Sequence, residues 1–278
     1  MSALPNPTDS PADALREWLA PFRRVFVLTG AGCSTNSGIP DYRDADGQWK
    51  RTPPVTYQAF TGDACVNARY WARSFIGWPR IDDAKPNGVH LALADWESRG
   101  GVSMLLTQNV DGLHQRAGSR HVIDLHGRLD GVFCLQCRAE SPRAALQARL
   151  AEANPDWVHL DATTAPDGDA DLDGHDFTRF TVPACEACGG MLKPDVVFFG
   201  ENVPKDRAVR AGEALKASDA MLVVGSSLMV YSGFRFARMA HETGIPLAIL
   251  NRGRTRADEL AALKIEEEAG AVLSAALG

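Results

Sequence analysis

The chain has 278 residues, 45% of them apolar and 23% charged, the balance of a globular protein with a sizeable core. Its net charge of −6 lacks the basic footprint of a dedicated nucleic-acid binder, and no apolar run reaches the roughly 20 residues that cross a bilayer. The length allows one large domain with a small module, or two modest domains.

The opening "MSALPNPTDSPADALREW" shows neither signal-peptide nor transit-peptide features and reads as a lead-in before a first helix, so a cytoplasmic location is expected. A buried strand, "VFVL" (25–28), then feeds "LTGAGCSTNSGIP", with glycines at 30, 32 and 38. This is a loop suited to approaching phosphates. It is not G-x-G-x-x-G, because position 35 is Thr, and it lacks the Gly-Lys-Ser/Thr ending of a P-loop. A hydride-transferring dehydrogenase would carry that fingerprint and an acidic residue ending the second strand, and neither is clear here.

Residues 43–86 read as a largely helical insertion. A helical pattern, "HLALADWESRG", precedes a strand "VSMLL" (102–106), and "VIDL" (122–125) follows as the next strand. After a cysteine-bearing segment (129–190) come the helix "DRAVRAGEALKAS", the strand "AMLVV" (220–224), the helix "YSGFRFARMAHETG" and the strand "PLAIL" (246–250). Strands alternating with helices predict an α/β fold, a doubly wound parallel sheet. Residues 1–42, 87–128 and 191–278 would form it, interrupted by 43–86 and by the cysteine-bearing 129–190. The strands run into "TGAG", "TQNVD", "HG", "GSS" and "NRG". Ligands of such sheets bind beyond the carboxyl ends of the strands, so these polar segments are expected to converge on one crevice.

Cys134 and Cys137, with Cys185 and Cys188, form two C-x-x-C pairs whose thiolates can surround one zinc ion. Four protein ligands leave no open position, so the metal would be structural. The alternative, redox-active pairs, is disfavoured because neither pair starts a βαβ unit. Cys33 and Cys65 read as small apolar residues. "DADLDG" (169–174) imitates the start of a calcium loop, but the position needing a bidentate Glu is Phe180, and a solvated loop is the better reading.

"GAGCSTNSGIPDYR", "TQNVDGLH", "LHG", the C-x-x-C pairs, "KPDVVFFGE", "VVGSSLMVYSG" and "ILNRG" stand in the order seen in sirtuins, and the chain resembles that family from about residue 15 to its end. "YWARSFIGWP", "TTAPDGD" and "CGGMLKPDVVFFGE" are similar to class II, the group of the mitochondrial sirtuin-4 and its bacterial relatives. The resemblance implies an NAD-dependent protein-lysine deacylase built from a Rossmann-like NAD-binding domain and a small zinc-binding and helical domain (43–86 with 129–190), with both substrates in the cleft between. NAD is consumed as a co-substrate, nicotinamide is released, and the acyl group passes from lysine to ADP-ribose. Partners would be acylated lysine side chains of proteins, with no nucleic acid or membrane; the oligomeric state stays open.

The resemblance also implies roles. His126 would be the base that deprotonates a ribose hydroxyl, while His114 and His121 match positions that are not catalytic. Asn109 and Asp111 would orient the ribose and grip the nicotinamide carboxamide, beside Gln108 and Val110. Gly30, Ala31 and Gly32, with Gly225, Ser226 and Ser227, would cradle pyrophosphate and ribose. Pro40, Asp41, Tyr42 and Arg43 would flank the nicotinamide. Asn251, Arg252 and Gly253 would meet the adenosine, and Ala269 stands where relatives often carry a Cys near the adenine. Val196, Phe199, Gly200 and Glu201 would line the acyl tunnel and pair with the peptide. Tyr70 and Arg73, three apart on a predicted helix, resemble a pair that grips acidic acyl groups, though a packed aromatic with an exposed Arg explains them too. Two alternatives use the same NAD site: protein mono-ADP-ribosyl transfer, and a zinc-stabilised NAD sensor without turnover.

Overall fold

Strand β1 (Val25–Thr29) is buried at every position and lies at the centre of a six-stranded sheet. The computed structural model describes residues 10–50, 54–160 and 176–278; most of the acidic 161–176 stretch, including the calcium-loop imitation, lies outside them. Helix α1 (Pro11–Leu19) begins at Ser10, whose hydroxyl oxygen accepts from the Asp13 amide, with proline at the first helical position where a missing N–H costs nothing.

The chain continues through α2 (Tyr57–Gly62), α3 (Ala64–Asp83) and α4 (Gly88–Ser98) to β2 (Val102–Thr107), α5 (Leu113–Arg116) and β3 (Val122–Asp124). Strands β4 (Gly127–Cys134) and β5 (Glu140–Pro142), helix α6 (Arg143–Ala153) and β6 (Leu192–Val196) follow. Then come α7 (Lys205–Lys216), β7 (Ala220–Val224), α8 (Tyr231–Glu242), β8 (Leu247–Leu250), β9 (Leu263–Ile265) and α9 (Ala269–Leu277).

The large sheet has the order β3-β2-β1-β7-β8-β9, all parallel. Successive side chains of a strand face opposite sides. Val25, Val27, Leu105, Leu222 and Leu250 therefore meet Leu15, Leu93 and Leu273 from α1, α4 and α9 on one face. Phe26, Leu28, Leu106, Met221 and Ile249 meet Leu215, Phe236 and Ala240 from α7 and α8 on the other. The run of the chain reverses direction across the sheet between β1 and β7, the crevice where doubly wound sheets bind ligands.

A second, antiparallel sheet has the order β5-β4-β6. With α2, α3 and α6 it encloses an aromatic core of Phe60, Trp71, Phe75, Trp157, Phe180 and Phe198. Two expected boundaries shift. Strand β4 starts at Gly127, and β6, assigned from sequence to the large domain, pairs with β4 across Cys134–Leu192 and Phe133–Lys193. A small apolar cluster then clasps the two parts together: Ile39, Trp78, Ile81, Leu113 and Leu129, with Val110 and Val196 packed on it.

Candidate active site

The strand ends open into a cleft of about 580 Å³, lined by Gly30–Gly32, Gln108–Asp111, His126, Gly225–Ser227, Asn251 and Arg252. All five polar strand termini therefore meet. The small domain supplies the opposite wall, including Tyr70, Val196, Phe199 and Glu201.

At the glycine-rich end, the Gly32 amide donates to the Gly225 carbonyl at 2.9 Å. A Cβ on Gly32 would stand 2.9 Å from that same oxygen and 3.0 Å from the Gly225 Cα, so the loops after β1 and β7 can touch only because Gly32 has no side chain. Gly225 itself sits at φ +58°, in the left-handed region. Here the chain presents backbone rather than side chains to the cleft.

Beyond β2, Gln108 accepts from the Ser226 hydroxyl at 2.6 Å. The Asn109 side-chain amide donates to the Gly30 carbonyl at 3.1 Å and to the Ser34 hydroxyl at 3.0 Å. Ser34 in turn donates to Asp111 at 2.7 Å, and the other Asp111 oxygen accepts from the Leu113 amide. Ser34, which no motif drew out, thus locks Asn109 to Asp111.

His126 sits in the turn between β3 and β4. Its Nδ1 lies 2.9 Å from the Gln108 carbonyl oxygen and its Nε2 2.7 Å from the Ser232 hydroxyl at the start of α8. A carbonyl only accepts, so Nδ1 carries the hydrogen and Nε2 keeps its lone pair, which accepts from the Ser232 hydroxyl. Burial pulls its pKa down to about 4, opposed by the Gln108 bond and helped by the charges of Arg235 and Arg207. The rival histidines stand elsewhere: His114 is buried against Thr29 at 2.9 Å, and His121 pairs on the surface with Glu97.

Arg43 lies over the Trp49 ring at 4.0 Å and donates to the Gly47 carbonyl at 2.7 Å; with Asp41 and Tyr42 it lines the cleft. Pro40 and Gly253 are set back from it, and Gly253 packs on Ala45. Ala269 is the first residue of α9 and is packed into the core under the sheet, not against the cleft. Tyr70 reaches the cleft, but Arg73 does not. Three residues along a helix leave two side chains about 60° apart, enough here to put the guanidinium outside.

The segment after β6 is held rigidly. The Tyr57 amide donates to the Phe199 carbonyl at 2.8 Å, and the Gln58 side chain to the Gly200 carbonyl at 3.1 Å. Glu201 points inward: it accepts from the Phe198 amide at 2.9 Å and pairs at 3.1 Å with Lys193, a buried lysine on β6. Phe199 stays 36% exposed at the rim, edge-on to Trp49.

The four predicted metal ligands come together away from the cleft, with all sulfurs within 4.8 Å of one another. Cys134–Cys188 is 3.5 Å and Cys137–Cys185 is 3.7 Å. Thiolates on a tetrahedral zinc, each near 2.3 Å from the ion, would lie about 3.8 Å apart. The two turns match: Arg138 and Gly189, each just after its pair, donate back to Cys134 and Cys185 from left-handed conformations. Spacing, turns and donor chemistry fit a structural zinc ion.

The Sir2 family profile matches residues 30–232. An NAD-dependent protein deacetylase 2 of Bradyrhizobium diazoefficiens is 61% identical over 261 residues, covering 94% of this chain and 96% of that protein. The human mitochondrial protein lipoamidase sirtuin-4 is 47% identical over 262 residues, covering 93% and 83%. Among solved structures, a Sir2 enzyme superposes with a TM-score of 0.76 at 33% identity, covering 96% of both chains. A Sir2 complex holding an inhibitor, 2′-O-acetyl-ADP-ribose and a deacetylated p53 peptide gives 0.74 at 29% identity, covering 94% and 96%.

Proposed function

From the premise that this chain belongs to the Sir2 family of NAD-dependent protein deacylases, we propose a division of labour within its cleft. The enzyme uses NAD as a co-substrate and acts on acyl-lysine. The backbone of Gly30, Ala31 and Gly32, with Gly225, Ser226 and Ser227, receives the pyrophosphate and its ribose. The Gly30, Gly32 and Gly225 amides are engaged within the loops, so it is the absence of side chains there that lets an anion approach closely. Asn251 and Arg252 receive the adenosine end.

Gln108, Asn109 and Asp111 hold the nicotinamide ribose and carboxamide, with Val110 packed behind and Asp41, Tyr42 and Arg43 covering them. Asp111 is acceptor-only when ionised, which suits a carboxamide NH₂. His126 takes the proton from a ribose hydroxyl through Nε2 while the acyl group moves from lysine to ADP-ribose. Val196, Phe199 and Gly200 wall the acyl-lysine channel with Tyr70. The structural zinc, when bound, holds the sheet that carries β6 and takes no part in chemistry.

The observation that carries this reading is the position of His126. His126 lines the same cleft as Gly32, Asn109 and Ser226, with Nδ1 held by the Gln108 carbonyl and Nε2 left in its unprotonated form beside Ser232. The test is incubation with NAD and acetyl-lysine peptides, following nicotinamide release and peptide mass. His126→Ala should lower turnover roughly 10²- to 10⁴-fold while NAD binding persists. Binding without nicotinamide release in the wild type would instead describe a sensor. Release with ADP-ribose attached to protein and no peptide deacylation would describe a transferase.

A further inference from the structure

Arg235 stands on the second turn of α8, and its side chain lines the cleft. Its Nε and Nη2 are withdrawn from solvent, and no acceptor among the described residues reaches either. The Phe236 ring lies 5.1 Å from the guanidinium, whose charge is felt by Tyr231 and His126, neither of which is an anionic partner. A guanidinium cannot discard its charge near neutral pH, so donors shut away without acceptors are costly unless an anion arrives.

The described residues supply none. Each carboxylate on the same cleft is engaged elsewhere: Asp41 by Lys50, Asp44 by the Asp46 and Gln48 amides, Asp111 by Ser34 and Leu113, Glu201 by Lys193 and Phe198. Arg207, the other arginine whose charge is felt by His126, already pairs with Asp195 at 3.3 Å.

Position within the cleft narrows what the anion is. Ser232, which touches His126, and Arg235 are three apart on α8 and so share a face of the helix. Tyr231, four before Arg235, lines the cleft as well. The guanidinium therefore lies on the cleft-facing side of α8 that also carries Ser232, one helical turn beyond the residue that anchors His126.

We propose that Arg235 is a carboxylate-recognition residue for the acyl-lysine substrate. This rests on the deacylase reading above. The carboxylate can come from the far end of the acyl chain or from an acidic side chain beside the modified lysine. Arg offers a planar fork that takes both oxygens of such a group.

The experiment uses the full chain, NAD and four peptide forms. A carboxyl-ended glutaryl-type acyl-lysine is compared with its terminal amide. An acetyl-lysine peptide with neighbouring Glu is compared with the same peptide carrying Gln. In the wild type, at least one acid-to-amide pair should differ by about tenfold or more in kcat/KM, and the responding pair identifies the source. In Arg235→Gln that ratio should fall to near one, and Arg235→Lys should keep part of it. Thermal melting confirms that each variant is folded, and a variant that is not is replaced by Arg235→Met. Ratios near one in the wild type, or a ratio that survives in the variants, would overturn the proposal. So would a selective rise in the KM for NAD, which would make the anion a cofactor phosphate. Failure of the deacylase reading is separate: no peptide form, acid or neutral, would then release nicotinamide.

Discussion

The Nε2 of His126 and the hydroxyl of Ser232 lie 2.7 Å apart, joining the turn between β3 and β4 to the start of α8. With the Gln108 carbonyl fixing the opposite nitrogen, the ring is held at both ends and in one tautomer. A base must sit within a fraction of an ångström of its proton, and a lost anchor is felt in the rate.

Ser232→Ala should therefore lower kcat about tenfold or more, with a much smaller change in the KM for NAD. The acid limb of kcat/KM in the wild type should fall well below the ordinary histidine value near 6.5, because burial holds the His126 pKa at about 4. Arg235→Gln removes a positive charge that disfavours the imidazolium and should move that limb upward. A limb at 6.5 in both proteins would refute the assignment of the base.

The crevice was legible in the sequence because a parallel sheet does the gathering. Five apolar runs ending in polar groups must deliver those groups to one edge, whatever the loops do. The zinc site was legible because C-x-x-C is itself a local turn. Ser34, Ser232 and Arg235 carried no such signal: their importance comes from which neighbours the fold brings to them. Tyr70 lines the cleft and Arg73 does not, because helical spacing says which residues share a side, not which of them faces a cavity. The small antiparallel sheet was missed since "GRLDGVFC" and "ESP" lack a run of apolar residues, and β9 is only "LKI".

Removing the metal should act at a distance. Leu192 pairs with Cys134, and the adjacent Lys193 braces Glu201 under the substrate segment. Chelation, or Cys134→Ser, should lower the melting temperature and abolish peptide turnover together, with zinc restoring both to the chelated protein. Unchanged activity after the metal content reaches zero, measured by atomic absorption, would disprove the link.

Gly32→Ala tests the contact between the loops after β1 and β7. The new methyl would press on Gly225 backbone, which cannot move aside as a flexible side chain could. Overpacking of this kind costs about 1–3 kcal/mol. If the loops part to relieve it, the KM for NAD should rise about tenfold while peptide KM changes little. Titration calorimetry with NAD gives the direct check.

Lys193→Met should produce the reverse pattern. Lys193 is buried and pairs with Glu201, so losing it leaves Glu201 without its cation and loosens residues 197–201. Breaking a buried pair from one side costs about 3 kcal/mol or more, while replacing both members is often far milder. The acyl-peptide KM should rise several-fold with NAD affinity preserved, and adding Glu201→Gln should recover part of the loss. Equal losses for both substrates would point to general unfolding.

Acid should weaken the fold through its buried histidines. Burial, with the neighbouring His90, pushes His114 down to about 3, and burial also lowers His90 and His126. In the unfolded chain these rings titrate near 6.5. Between the two values the unfolded state binds protons that the folded state refuses, so stability is complete above roughly pH 6.5 and declines as pH falls toward 4. Urea midpoints should be flat from about pH 8 to 7 and drop steadily below 6.5. His114→Gln should start less stable, since Gln fills the space beside Thr29 and His90 poorly, yet decline less steeply. Parallel slopes for the variant and the wild type would mean that His114 is not among the groups refusing a proton.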